Sequence, residues 1–197
     1  VRQASASFGP PEYPNLSFQI MDARQLNLFE QFDVIFSNAT LHWVIDHRSI
    51  VEGARRALRN GGRLLFQMGG RGNARDIMDV FDVMMQETRW APFFERFETP
   101  YGFYGPEEYR PWLEQAGLKA VRVELIPKEM KQNGKPGLAG WIRTTWLPYL
   151  ERLPADLREP FISELADRYL ADHPADSNGV IRVRMVRLEV EARKNGE

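Results

Sequence analysis

An α/β fold with a doubly wound sheet is predicted for this chain from three consecutive segments. Val34-Ile35-Phe36, behind Asp33, is a short β-branched and aromatic run of the kind buried on both faces inside a parallel sheet. Residues 47–60 place Ile50, Val51, Ala54, Ala57 and Leu58 on one stripe of a 3.6-residue period. Residues 63–68 (RLLFQM) are a second apolar run. Strand, helix and strand in about 35 residues make a βαβ unit, whose crossover is expected to be right-handed.

The remaining elements follow in chain order. Residues 1–8 read as a helical segment stopped by Gly9-Pro10-Pro11. Leu16 to Ile20 alternates apolar and polar, a strand signal, with Met21-Asp22-Ala23 at its carboxyl end. Residues 25–31 are a short loop or helical turn. Asp46 is an N-cap for the helix over 47–60, Arg55, Arg56 and Arg59 suit its C-terminal dipole, and Gly61 sits where a left-handed C′ residue is wanted. Asn73 is expected to cap a helix over 74–88, after the glycine-rich 69–72 loop. Residues 91–104 are aromatic and irregular. Gly105-Pro106 opens a further helix with Tyr109, Trp112, Leu113 and Ala116 inward, ended by Gly117. Residues 120–126 form a strand near the sheet edge and 127–137 a loop. Helices over about 138–152 and 155–172 follow, interrupted by Pro148 and Pro154. Val180 to Glu191 closes the sheet. Its inward phase switches from Ile181-Val183-Met185 to Val186-Leu188-Val190, for which a β-bulge near Met185 is the expected cause.

Composition narrows the function classes. The 197 residues are 43% hydrophobic and 27% charged, with a net charge of −1, so no global field draws in nucleic acid or an anionic membrane. Absence of cysteine excludes disulfides and thiolate chemistry. Three histidines (His42, His47, His173) without ligand spacing make a metal site unexpected. No apolar run approaches the roughly 20 residues of a membrane span and no signal peptide opens the chain. A cytoplasmic location and a small-molecule partner are the expectation.

Candidate chemistry concentrates at strand tips, where open α/β sheets bind ligands. Asp22 can accept from an amino group while the Ala23 backbone donates, although Asp also favours turns. Ser37, Asn38 and Ala39 are small, the first two polar, so a ligand can approach the backbone; Asn38 equally suits a turn. His42 reads as a general base or as a histidine satisfied by its surroundings. Trp43 reads as a wall or a packing residue. Gly69-Gly70-Arg71-Gly72 lacks the acidic strand end a dinucleotide fingerprint needs, and reads as structural.

FDVIFSNATLHWV at 32–44, the strand-end Asp22-Ala23 and GLAGWIRTTWLPYLERLP at 137–154 together resemble class I S-adenosylmethionine-dependent methyltransferases, specifically the trans-aconitate methyltransferase group. The resemblance implies a Rossmann-like methyltransferase domain over 1–126 and 176–197, with a helical cap over 127–175 roofing the active site. It implies S-adenosylmethionine as cofactor, leaving S-adenosylhomocysteine, held by Asp22, Ala23, Ser37, Asn38 and Ala39. Trp43, Trp141, Arg143 and Tyr149 then face the substrate, with Trp141, Trp146 and Tyr149 burying its aliphatic parts and Arg143 clamping a carboxylate; an exposed helix arginine is the competing reading. The reaction implied is SN2 transfer to a small acceptor, a carboxylate that needs no base. The alternative is a non-catalytic binding module on the same scaffold. The resemblance lacks the family's opening strands and GxGxG loop, so the chain is expected to be a fragment, inactive alone and prone to strand-swapped or edge-paired association.

Overall fold

The computed structural model describes residues 1–196. Helix α1 (Arg2–Phe8) stops at Gly9, as the sequence implies. Residues 9–31 contain only a single 3-10 turn, Ala23–Gln25. Strand β1 (Phe32–Asn38) leads through a 3-10 turn at Leu41–Trp43 to α2 (His47–Ala57) and β2 (Leu58–Gly69). Then come α3 (Arg75–Met84), α4 (Pro106–Gln115) and β3 (Leu118–Asn133). The cap helices α5 (Gly134–Thr145), α6 (Leu147–Leu150) and α7 (Ala155–Asp172) precede β4 (Val180–Lys194).

The sheet order is β1-β2-β4-β3, with β1 and β2 parallel and both β4 pairings antiparallel. The βαβ unit is therefore present. Asp46 caps α2 by accepting from the Ser49 backbone N–H at 3.0 Å. That helix ends at Ala57 rather than at residue 60. Gly61, at φ +75°, lies in the irregular start of β2 where the register with β1 shifts. Its left-handed backbone serves the strand entry rather than a helix C-cap.

Four other expectations are corrected. Residues 16–20 form no strand: Ile20 is 84% exposed and, among the described residues, no strand pairs with the segment. Alternation marks a strand only where a partner completes its hydrogen bonds. The outer edge of β1 is likewise unpaired among the described residues, and Phe32, Val34 and Phe36 are exposed along one face. The expected loop at 127–137 is mostly strand. β3 continues to Asn133 because β4 runs antiparallel beside it throughout, and Pro127 is tolerated because β3 is an edge. Asn73 does not cap α3. Ala74 in the left-handed region precedes that helix, and Asn73 Oδ1 instead accepts from the Val186 N–H at 3.0 Å.

The fourth correction explains the phase switch in β4. No register shift occurs near Met185; the irregularity lies in β3, between Ala120 and Arg122. β4 instead serves two cores on opposite faces of the sheet. Ile181 and Val183 join the cap core with Phe81, Trp146, Tyr149, Phe161 and Leu165. Leu188, Val190 and Ala192 face the other way, toward Ile50, Val51, Tyr109 and Leu113 of α2 and α4. A regular two-residue period shows apolar residues first on one side and then on the other when the covering layer changes sides.

Candidate functional site

A cavity of about 320 Å³ opens where the parallel strands β1 and β2 end. Asn38 and Ala39 come from the tip of β1, and Gln67, Met68 and Gly69 from that of β2. His42 and Trp43 follow β1, Tyr101 and Phe103 come from the aromatic segment, and Trp141, Thr145 and Trp146 hang from the cap. Lys128 of β3 and Arg187 of β4 bring cations, and among the described residues no carboxylate lines the cavity.

Local geometry explains these placements. Ala39 leaves β1 at φ +53°, turning the chain so that 40–44 folds back, with the Ala39 N–H donating to the Gln67 carbonyl at 2.8 Å. The 3-10 turn then directs His42 and Trp43 inward. The Gly102 N–H donates to the His42 carbonyl at 2.9 Å, which brings Tyr101 and Phe103 alongside. Those two rings stack at 5.3 Å, and Trp43 meets Tyr101 at 5.1 Å. On α5, Trp141 and Thr145 lie one turn apart and share the cavity-facing side.

Both histidines near the site are held below their ordinary pKa, chiefly by burial. The Gly69 N–H donates to His42 Nδ1 at 3.4 Å. A backbone N–H can only donate, so the neutral imidazole carries its proton on Nε2. His47 is fully buried: Nε2 donates to the Leu41 carbonyl at 2.8 Å and Nδ1 accepts from the Tyr109 hydroxyl at 2.6 Å. That imidazole is satisfied as a neutral group and pins the turn that carries His42.

The structure gathers only part of the predicted site. Asn38, Ala39, His42, Trp43 and Trp141 line one cavity; Ser37 precedes them in β1 without lining it. Asp22 and Ala23 lie apart from the cavity lining. The Asp22 carboxylate accepts from the Arg24 backbone at 2.9 Å and guanidinium at 2.6 Å, and its pKa falls to about 2. Arg24 also feels Asp46, so this turn sits beside the start of α2. Ala23 packs against the α2 and α4 core.

Arg143 points away from the cavity and pairs with Glu159 of α7 through two 2.7 Å hydrogen bonds. It lies two residues from Trp141, on another side of the helix. Tyr149 is buried beneath the cavity wall, its hydroxyl 3.3 Å from Thr99 Oγ1. Sequence reasoning missed Tyr101, Phe103, Lys128 and Arg187 as lining residues. Trp146, expected in the roof beside Trp141, lines the cavity. Lys128 and Arg187 become neighbours only once the β3–β4 register is known.

Among the described residues no cluster of His, Asp or Glu could hold a metal ion, and no helix is long and apolar enough to cross a membrane.

Residues 1–66 match the family model described as a methyltransferase domain. A trans-aconitate 2-methyltransferase of Deinococcus radiodurans is 30% identical over 87% of this chain and 67% of its own length. Protein 235L of Invertebrate iridescent virus 6 is 25% identical over 81% of this chain, which spans 59% of that protein. Across such relatives the chain spans between 52% and 71% of their length. A crystal structure of a Bacillus halodurans C-125 protein superposes with a TM-score of 0.56, covering 98% of this chain and 85% of that one at 16% identity, a likeness of fold. On the fold, the strand-tip cavity and these relatives, the chain belongs to the trans-aconitate methyltransferase-like family of class I S-adenosylmethionine-dependent methyltransferases.

Proposed function

We propose that this chain methylates a carboxylate oxygen of a small organic acid, with S-adenosylmethionine as donor. The observation that carries the reading is the cavity itself. It is walled by aromatic rings, lined by two cations and, among the described residues, free of carboxylates. Its volume is at the low end for small-molecule sites, suited to a compact acid.

S-adenosylmethionine supplies a methyl group already activated on a sulfonium. Asn38 and Ala39 fit a role in holding its amino-acid end, being small and at a strand tip that lines the cavity, with Asn38 supplying the polar group. Asp22 and Ala23 would take the nucleoside, but Arg24 already occupies the Asp22 carboxylate, so it has to swing aside.

The chain's own residues then have three tasks. Lys128 and Arg187 attract and orient the acid. Trp43, Tyr101, Phe103 and Trp141 exclude water, which strengthens every charge interaction inside. His42 presents Nε2–H as a donor to the acceptor or its anchor, and removes no proton. A carboxylate is ionised at neutral pH, so alignment of the in-line displacement is the main requirement.

The direct test is incubation of the chain with S-adenosylmethionine and trans-aconitate, the acid named for its relatives, followed by mass spectrometry for a monomethyl ester. Calorimetry with S-adenosylhomocysteine runs in parallel. Binding of the cofactor product with no ester from any small acid tested overturns the acceptor class. Absence of cofactor binding instead favours a chain inactive alone or a non-catalytic binding module.

A further inference from the structure

Three segments that wall the cavity meet at one buried side chain set behind it. His47 holds the turn after β1 by donating from Nε2 to the Leu41 carbonyl at 2.8 Å. Its Nδ1 accepts from the Tyr109 hydroxyl of α4, and that oxygen also lies 3.4 Å from Sδ of Met68, which lines the cavity at the β2 tip. The aromatic segment packs flush on the same imidazole: a Cβ at Gly102 would sit 3.0 Å from His47 Nε2 and 2.4 Å from the Val44 carbonyl oxygen. Two residues on, Tyr104 meets the imidazole edge to face at 4.8 Å, and its hydroxyl donates to the Ile45 carbonyl at 2.7 Å.

The direction of each bond follows from its partner. A carbonyl only accepts, so Nε2 carries the proton and Nδ1 keeps a lone pair for the hydroxyl hydrogen. Burial pushes the Tyr109 hydroxyl pKa further up, so it stays a donor. With both nitrogens engaged, the ring has one tautomer and one orientation. Removing either partner leaves a buried polar group unsatisfied, which costs more than the bond contributes. The cavity is sensitive to where the turn sits. His42 Nδ1 accepts from Gly69 at 3.4 Å, near the limit for a hydrogen bond, so a shift of a few tenths of an ångström releases it.

We propose that His47 and Tyr109 are positioning residues for methyl transfer: through the Leu41 carbonyl and Met68 they set the turn that aims His42 and Trp43 into the cavity. The role rests on the reading of this cavity as the place where the methyl group is transferred. It does not depend on the chemical class of the acceptor, because the turn is set before any acceptor arrives. Neither residue touches a reacting atom. Their contribution is the fixed spacing between the end of β2 and the turn after its parallel neighbour.

The test compares the 15N-labelled parent chain with Y109F, H47L and H47Q at pH 7.5, without ligand. Y109F deletes one hydroxyl and keeps the ring; glutamine at 47 keeps one donor and one acceptor. The His42 imidazole resonances are assigned by their loss in H42A. The parent should show the His42 proton on Nε2 alone. Y109F and H47L should mix its two tautomers and speed hydrogen exchange of the Gly69 amide about five- to tenfold, the scale of one hydrogen bond. The Val190 and Ala192 amides of β4 should exchange as in the parent, and H47Q should keep His42 and Gly69 at parent values. A merely structural role would instead speed Val190 and Ala192 in step with Gly69. That outcome, or a His42 spectrum unmoved in Y109F, overturns the positioning role and leaves the methyltransferase reading standing. Calorimetry of the parent chain with S-adenosylhomocysteine runs alongside. Absence of binding there overturns the cavity as the place of transfer, and the positioning role with it.

Discussion

The Gly69 backbone N–H donates to Nδ1 of His42 across 3.4 Å, joining the end of one strand to the turn after its parallel neighbour. This contact commits the imidazole to a tautomer with its proton on Nε2, facing away from the β2 tip. A general base needs a free lone pair toward its substrate, and here the backbone occupies Nδ1. His42→Ala is therefore expected to lower kcat for a carboxylate acceptor by less than about tenfold, the scale of one neutral hydrogen bond. Loss of an obligatory base would cost about 10²- to 10⁴-fold. Single-turnover methyl transfer separates the two.

Buried His47 predicts an acid-sensitive fold. Its native pKa lies below the ordinary value of 6.5, mainly through burial, so the unfolded chain binds the proton more readily. Stability from this group is complete above about pH 6.5 and is lost as pH falls from there through the depressed native value. His42 shifts the same way and adds to the trend. The slope should reach at most about 1.4 kcal/mol per pH unit for each histidine. Urea midpoints between pH 7.5 and 5 check it, and His47→Gln, less stable at pH 7.5, should show a shallower decline.

Arg143→Ala should leave acceptor binding unchanged. Its guanidinium pairs with Glu159 on the cap's surface, both side chains well exposed. Such pairs contribute up to about 1 kcal/mol. A KM for the acid that rises tenfold would contradict the placement of α5.

Gly70 is a packing glycine. A Cβ there would sit 2.5 Å from Leu125 Cδ2 and 2.8 Å from Leu188 Cβ, and Leu188 is locked in the sheet. Gly70→Ala should destabilise by about 1–3 kcal/mol, as overpacked cores do. Thermal unfolding measures it. The glycine-rich look of 69–72 thus reflects a tight exit from β2 over β4.

Phe81 anchors the cap. Its ring lies 4.4 Å from Tyr149, 5.3 Å from Trp146 and 5.9 Å from Phe161. Phe81→Ala should cost about 3–5 kcal/mol. Because Trp146 also lines the cavity, acceptor affinity should fall along with stability.

The βαβ unit was legible because its signals are local: the apolar run at 34–36, the Asp46 cap and the helical stripe beginning at Ile50 need no distant partner. The β1 tip and Trp43 followed from the strand end, which is where such sheets open. The alternation at 16–20 misled because a strand exists only through a neighbour the pattern does not show. Extension of β3 past Pro127 was hidden for the converse reason, since the neighbour that stabilises it lies some 50 residues on. Arg143 attracted attention as a cation in an aromatic helix, but a rotation of two residues along α5 decides which side faces the cavity. Lys128 falls in the stretch expected to be loop, and only the antiparallel pairing of β3 with β4 sets it diagonally beside Arg187.

The two-sided use of β4 limits how acceptor preference can be re-engineered. A graft that exchanges only the helices between Asn133 and Val180 would seat foreign side chains on Ile181 and Val183, which were selected against the old roof. A transplant has to carry the leading half of the closing strand with it and stop before Leu188, where the partner layer changes and the recipient's own helices take over.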